Sequence, residues 1–335
     1  MKRGKTGIIV VIGCILVLLS AVPSLKAETA AEFYKDKVVT LVVAGAAGAG
    51  ADVKTRLLTP FWSEELGATV AVKNMPAAGG MEAFNWMYTQ AKPDGLTFAM
   101  LSWTSLLVGS LDPAAKYDPT KFELIGVLDP MNYVLNVKKN GITSVKDFKE
   151  KKDLKLAGLI PTAGPTVTAA LVLELLNPNG KLITGYNMRE ATLATARGET
   201  DGFCCSIMGA IQNEKQGYTI PLLQVGKQKM RGFDVPLVAD VVESSPLLEA
   251  YCIATPGDVY WLPPGVPKDR VDFMRKALEE MFVEGSPAIK TLMERYNFHS
   301  GYKSYKELDD ILSKWASGGR EDYKKVLDLV SKYRR

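Results

Sequence analysis

The chain of 335 residues has a single histidine, His299, and only four cysteines. A lone histidine supports neither a zinc ligand set nor a Ser-His-Asp triad. No Cys-x-x-Cys pair occurs, so the usual redox and zinc spacings are missing. No Gly-Lys-Ser/Thr follows any glycine loop, which excludes a P-loop. Beyond residue 27 no run of 18 apolar residues occurs, so no membrane helix is predicted in the mature chain. Nor is there a low-complexity linker between the halves. What remains is ordinary: 47% hydrophobic, 23% charged and 9% aromatic residues. That composition excludes a disordered chain and a small disulfide-stapled scaffold. At about 150 residues per domain, the length suggests two domains.

Charge of one sign is also scarce in the body of the chain. The formal charge is +4, from 41 basic and 37 acidic residues. Four of the basic residues, Lys2, Arg3, Lys5 and Lys26, lie in residues 1–27, which contain no acid, leaving 37 against 37. A nucleic-acid partner needs a basic stripe in the folded part, and none is visible.

The first 27 residues read as a secretory signal peptide. Lys2, Arg3 and Lys5 precede an apolar run of 14 residues, Gly7 to Ser20, which is short for a membrane-spanning helix. Pro23 and Ser24 break the run, and Ala27 offers a small residue for cleavage, although Leu25 at the −3 position is large. An uncleaved anchor is one alternative. Lipidation at Cys14 is another, but the apolar run continues past Cys14, where a lipobox cysteine would end it. Secretion of the mature chain is therefore expected. Three cysteines then remain, Cys204, Cys205 and Cys252. The number is odd, so at least one is free in a monomer. Buried small hydrophobes are the expectation; one pairing with Cys252 is the alternative.

Val38 to Val43 is a β-branched run that predicts a buried strand. It enters Gly45-Ala46-Ala47-Gly48-Ala49-Gly50-Ala51-Asp52, and helical spacing of apolar residues follows to Leu66. Pro60 is expected to kink or divide that helix. Strands are predicted at 69–73 and 96–101, with a helix over 81–91 between them. Residues 124–137 read as one long extended segment. A helix over 144–151, capped by Ser144, leads to a strand at 154–159. The strand ends in Pro161-Thr162-Ala163-Gly164-Pro165-Thr166, ahead of a helix over 167–176. A helix at 189–197 and strands near Phe203 and Leu222 follow. Helices are predicted over 268–284, 287–296 and 304–333. Strand alternating with helix implies an α/β layer fold with a mostly parallel sheet.

A strand–glycine loop–helix unit leaves backbone N–H groups unpaired at the helix start, where the helix dipole favours an anion. The glycines here read G-x-x-G-x-G, and Lys73-Asn74 stand where a dinucleotide site needs an acid, so a dinucleotide is a poor match. Asp52 is expected to cap the helix rather than carry chemistry. The second unit offers Thr162, Thr166 and Thr168 around Gly164. Two such loops, one per half, would face one cleft if the halves close on each other.

At these residues the sequence resembles the substrate-binding proteins of the tripartite tricarboxylate transporter family, the Bug family. Lys37 to Asp52 resembles its first strand and glycine loop. Val72-Lys73-Asn74 with Ala78-Gly79-Gly80 is similar to its V-x-N-x-x-G-A-G-G segment. Pro93-Asp94-Gly95 with Thr97, then Tyr117-Asp118-Pro119, then Leu262 to Pro267 continue the match in order across nearly the whole mature chain. The resemblance implies a two-domain periplasmic-binding-protein fold of type II-like form. Each domain would be a central sheet flanked by helices, joined by crossing strands. Residues 28–127 with 255–335 would form domain 1 and 128–254 domain 2, with hinges near 126–137 and 250–260. It implies capture of a small organic carboxylate for delivery to membrane permease subunits, with no enzyme activity, cofactor or metal. The implied ligand-binding residues are Ala47, Gly48, Gly50 and Asp52, then Ser102, Trp103 and Thr104, then Thr162, Ala163, Gly164 and Thr166. Trp103, Met188 and Cys205 depart from the family pattern, and so does the second loop, which puts tricarboxylate itself in doubt. Trp103 could narrow or stack in the site, or simply pack. A periplasmic sensor for a signalling receptor, or an enzyme using the same cleft, are the rival readings.

Overall fold

The computed structural model describes residues 28–129, 132–230, 232–243, 245–253, 257–296 and 301–334. The signal segment with Cys14, and His299, lie outside these residues.

In the first half, helix α1 (Ala30–Tyr34) precedes strand β1 (Val38–Val43), α2 (Gly50–Leu66), β2 (Thr69–Asn74), α3 (Met81–Thr89), β3 (Thr97–Ser102), α4 (Trp103–Gly109) and β4 (Glu123–Asp129). The middle runs β5 (Tyr133–Lys138), α5 (Val145–Glu150), β6 (Lys155–Ala157), α6 (Gly164–Leu176), β7 (Lys181–Ile183), α7 (Met188–Arg197), β8 (Gly202–Ser206), α8 (Ile207–Lys215), β9 (Thr219–Val225) and α9 (Pro246–Ile253). The last part is β10 (Asp258–Leu262), α10 (Lys268–Met281), α11 (Pro287–Tyr296), β11 (Gly301–Ser304), α12 (Tyr305–Lys314) and α13 (Arg320–Tyr333).

The strands form two sheets, one of six strands in the order β11-β4-β10-β3-β1-β2 and one of five in the order β7-β6-β8-β5-β9. The fold is α/β, with two lobes built on these sheets. The expectation of a mostly parallel sheet is corrected, because both sheets are mixed. β1 runs parallel to β2 and β3, and β6 runs parallel to β7 and β8. β10 is antiparallel to β3 and β4, and β5 is antiparallel to β8 and β9. The physical cause is the route of the chain. β5 enters the second lobe from the first, and β10 returns from the second, so each meets its sheet against the grain of the βα units already there. The single extended segment expected over 124–137 is likewise two strands, one in each sheet.

β10 ties the first lobe together. Its Tyr260 turns to Trp62 of α2, with ring centroids 5.4 Å apart, and its neighbour Trp261 turns to Phe84 of α3 at 5.3 Å. Opposite faces for consecutive residues follow from the strand period of two. All four rings are buried, each worth roughly 1.5–3 kcal/mol of transfer free energy or more. That packing explains a second departure. Pro60 does not divide α2, because Leu58 and Trp62 are buried on either side of it and hold one 17-residue helix against the sheet.

Two further expectations change. Residues 304–333 are not one helix, since a π turn at Trp315–Gly319 separates α12 from α13, where Gly318 and Gly319 weaken helical propensity. α13, grouped by sequence with the first lobe, packs on α6 of the second, and Leu182 of β7 bridges to Arg334. Lys332 Nζ and the Tyr333 hydroxyl both donate to the Glu174 carboxylate on α6. Cys204 and Cys205, adjacent on β8, point to opposite faces into separate core clusters, and all three described cysteines are free thiols. Among the described residues, no helix is long and apolar enough to cross a membrane.

Candidate functional site

A cavity of about 690 Å³ lies between the lobes. Its first-lobe wall is built from the loop after β1. That loop is short of side chains, being alanine and glycine from Ala44 to Ala51. Gly48 sits at φ +76°, a left-handed turn that glycine adopts without strain. Asp52 then closes the loop from inside the helix. Its carboxylate accepts from the Gly48 N–H at 2.8 Å, from Asn74 Nδ2 at 2.9 Å and from Arg56 Nε at 3.0 Å. Burial pushes the Asp52 carboxyl up, but Arg56, the Gly48 N–H and Asn74 together outweigh it and hold the group below its ordinary value. Asp52 is thus a loop brace rather than the helix cap expected from sequence, because α2 has no side-chain cap hydrogen bond, and its side chain does not line the cavity.

The N-terminus of α2 is left open by this arrangement. Its cap residue, Ala49, has no side-chain acceptor to offer. Among the described residues the N–H groups of Gly50 and Ala51 find no partner, and both residues line the cavity. Gly50 is required here by close approach, since a Cβ would collide with Ser206 Oγ of the second lobe and meet Gly209 N at 3.0 Å. Ser206 caps α8, its Oγ accepting from Gly209 N at 3.3 Å. The starts of α2 and α8 therefore face each other across the cleft. The start of α7 also lines the cavity, through Asn187, Met188, Arg189 and Glu190. A reciprocal capping box fixes it, with Asn187 Oδ1 accepting from Glu190 N and the Glu190 carboxylate accepting from Asn187 N.

The second loop behaves differently. Gly164 N, at the start of α6, donates to Ser105 Oγ of the first lobe at 3.1 Å, and Ser105 shares a 2.9 Å hydrogen bond with Ser102. Thr166 Oγ1 accepts from Leu159 N at 2.8 Å, and the Thr168 hydroxyl donates to Gly164 O while pairing with Tyr251. The donors of this helix start are thereby spoken for within the protein.

Of the residues singled out by sequence, Ala47, Gly48, Gly50, Ser102 and Ala163 line the cavity. Asp52, Trp103, Thr104, Thr162, Gly164 and Thr166 do not. Trp103 is fully buried in the first core cluster and packs there rather than facing the cleft. Sequence reasoning missed the starts of α7 and α8, and it missed Arg189. Asn187-x-x-Glu190 is a visible capping-box pattern that could have marked the first of them. It also missed the ion pair of Lys54 and Asp258, both buried and both on the cavity lining. Lys54 lies one turn along α2 from Gly50, and Asp258 pairs with Ser102 in the β-ladder. Burial pushes the Lys54 ammonium down, to about 7, while the adjoining carboxylate favours the charged form. Cys205 also lines the cavity, with its thiol pushed up to about 12 by burial and its Sγ accepting from Asn136 Nδ2, so it is no nucleophile at neutral pH.

No family model matches the chain. A UPF0065 protein of Bordetella bronchiseptica is 26% identical over 287 residues, covering 82% of this chain and 80% of that protein. The periplasmic binding protein BugD superposes with a TM-score of 0.70 at 20% identity, over 90% of this chain and 100% of that one. The chain is similar in sequence to UPF0065 proteins and in fold to Bug-type binding proteins. MatC from Rhodopseudomonas palustris, solved with bound malate, gives a TM-score of 0.67 at 20% identity over 88% of this chain and 99% of that one. These are the relatives that the resemblance in the sequence implies. At such identities the Bug-type likeness establishes the fold, and the site must be argued from its own residues.

Proposed function

We propose that the chain is a periplasmic solute-binding protein that captures a small organic carboxylate. The observation that carries this reading is the interlobe cavity onto which the unpartnered N–H groups of Gly50 and Ala51 open. A carboxylate there would meet donors and the positive end of the α2 dipole. Arg189 on the facing lobe adds a cation for which no acidic partner exists among the described residues. Support comes also from the kind of protein found among the relatives, including one solved with malate. Capture would be reversible, by closure of the 128–254 lobe on the remainder about the two crossings, with no covalent step. Secretion through the signal segment and delivery to the permease subunits of a tripartite tricarboxylate-type transporter complete the proposal.

A thermal-shift screen of the mature chain against mono-, di-, tri- and aromatic carboxylates tests it. Ligand at 100 times its Kd is expected to add about 2.7 kcal/mol of stability. A screen in which no carboxylate shifts the melting temperature, repeated after unfolding and refolding to remove trapped ligand, would overturn the reading. Fractionation of cells expressing the full chain checks the location.

A further inference from the structure

We infer that the cavity is shaped for a carboxylate with one anionic head and a bulky apolar body, rather than for a short di- or tricarboxylate. The inference rests on the carboxylate-binding reading above and narrows it.

Size is the first argument. A volume of about 690 Å³ is that of a site for a drug-sized ligand, well inside the range of roughly 300–1,000 Å³ for such pockets. It is not the volume of a gaping cleft, because the lobes already touch. α2 packs on α8, and Gly164 of one lobe donates to Ser105 of the other. A molecule of a few carbons would leave most of this space to water.

The walls are the second argument. The first-lobe wall is mainly the alanine–glycine loop, and its polar side chains are already engaged, Ser102 with Ser105, Ser105 with Gly164 N, and Lys54 with Asp258. The second-lobe wall carries Leu159, Ile160, Met188 and Leu193, all lining the cavity and all only half-buried. Large apolar side chains left partly wet inside a cleft gain from an apolar guest.

Charge is the third. Four charged side chains line the cavity, Lys54, Arg189, Glu190 and Asp258, and their formal charges cancel. Lys54 is already matched by Asp258. A tri-anion would enter without net compensation, and desolvating uncompensated charge is costly. One carboxylate is compensated by the start of α2, helped by Arg189. The head therefore belongs at Gly50 and Ala51, with the body against the Leu159–Ile160 wall.

Isothermal titration with acetate, butanoate, hexanoate, octanoate, malate and citrate tests this on the refolded, ligand-stripped mature chain. The Kd is expected to fall about fourfold for each methylene buried along the straight-chain series. Hexanoate is expected to bind at least tenfold tighter than citrate. Ile160→Ala, checked for native circular dichroism, is expected to flatten the chain-length slope. A Kd independent of chain length, or malate or citrate binding tighter than every monocarboxylate, would overturn the inference while leaving the carboxylate-binding reading intact. No binding by any member would overturn both.

Discussion

Two strand–loop–helix units, β1 to α2 and β6 to α6, are written in the same grammar. Each has a short β-branched or apolar strand, a loop without charged side chains, and a helix that starts at glycine. They end in opposite chemical states. In the first, Asp52 takes the loop N–H of Gly48, which leaves Gly50 and Ala51 facing the cavity. In the second, Ser105 reaches across from the other lobe and takes Gly164 N, while Thr166 is committed to Leu159. A helix start is an anion site only if nothing in the protein has filled it first. The side chain that decides this comes from 4 residues away in one unit and 59 in the other.

The widest gap between the units is set by buried charge, which the first has and the second lacks. Lys54→Met would leave Asp258 uncompensated in the interior and is expected to cost about 3–5 kcal/mol. Lys54→Met combined with Asp258→Leu should recover most of that loss. Urea denaturation of both variants measures it. If the single variant is as stable as the parent, the pair is not the buried ion pair described.

The two glycines should then fail in different ways. Gly50→Val places a side chain against Ser206 and is expected to weaken carboxylate binding by about 100-fold, or about 2.7 kcal/mol, with the fold kept. Gly164→Ala drives a methyl group into the Tyr133 hydroxyl and is expected to cost about 1–3 kcal/mol of stability. Titration and melting of each variant side by side would dissolve the contrast if both glycines acted on the same observable.

The smallest effect concerns the brace of the first loop. The Asp52 carboxyl is held below its ordinary value, so the folded state binds its proton less readily than the unfolded chain. Its contribution is complete above the unfolded carboxylate pKa, near 4, and is lost as pH falls through the lower folded value. Asp52→Asn is expected to cost about 1 kcal/mol at pH 7 and progressively less in acid. Melting curves from pH 7 to pH 3 for both proteins check the convergence.

Much of this was legible in the sequence. The βα order, the glycine loop, the Ser144 cap and the burial of Cys204 and Cys205 follow from local pattern, and each stands. What local pattern could not carry is pairing at a distance. Lys54 and Asp258 are 204 residues apart, and nothing near either announces the other. β11 is four residues of mixed polarity, with no alternation strong enough to mark it as a strand. The pairing directions of β5 and β10 depend on which lobe the chain has just left. At the site, the hydroxyls around Gly164 carried the right composition for anion binding. Whether they were free depended on Ser105, which belongs to the other half of the molecule.

The position of β10 has a consequence for the order in which the protein can be assembled. It lies between β3 and β4, so the six-stranded sheet is split into two pieces until residue 262 has left the ribosome. The five-stranded sheet is complete by residue 225. The sheet that begins last in the chain can thus be finished first, although α13 packs on its lobe only later, while the sheet that begins first waits with an open seam for its keystone. During that wait the apolar edges of β3 and β4 are bare, and this is the interval in which a chaperone or a still-unfolded export route would matter most to this chain.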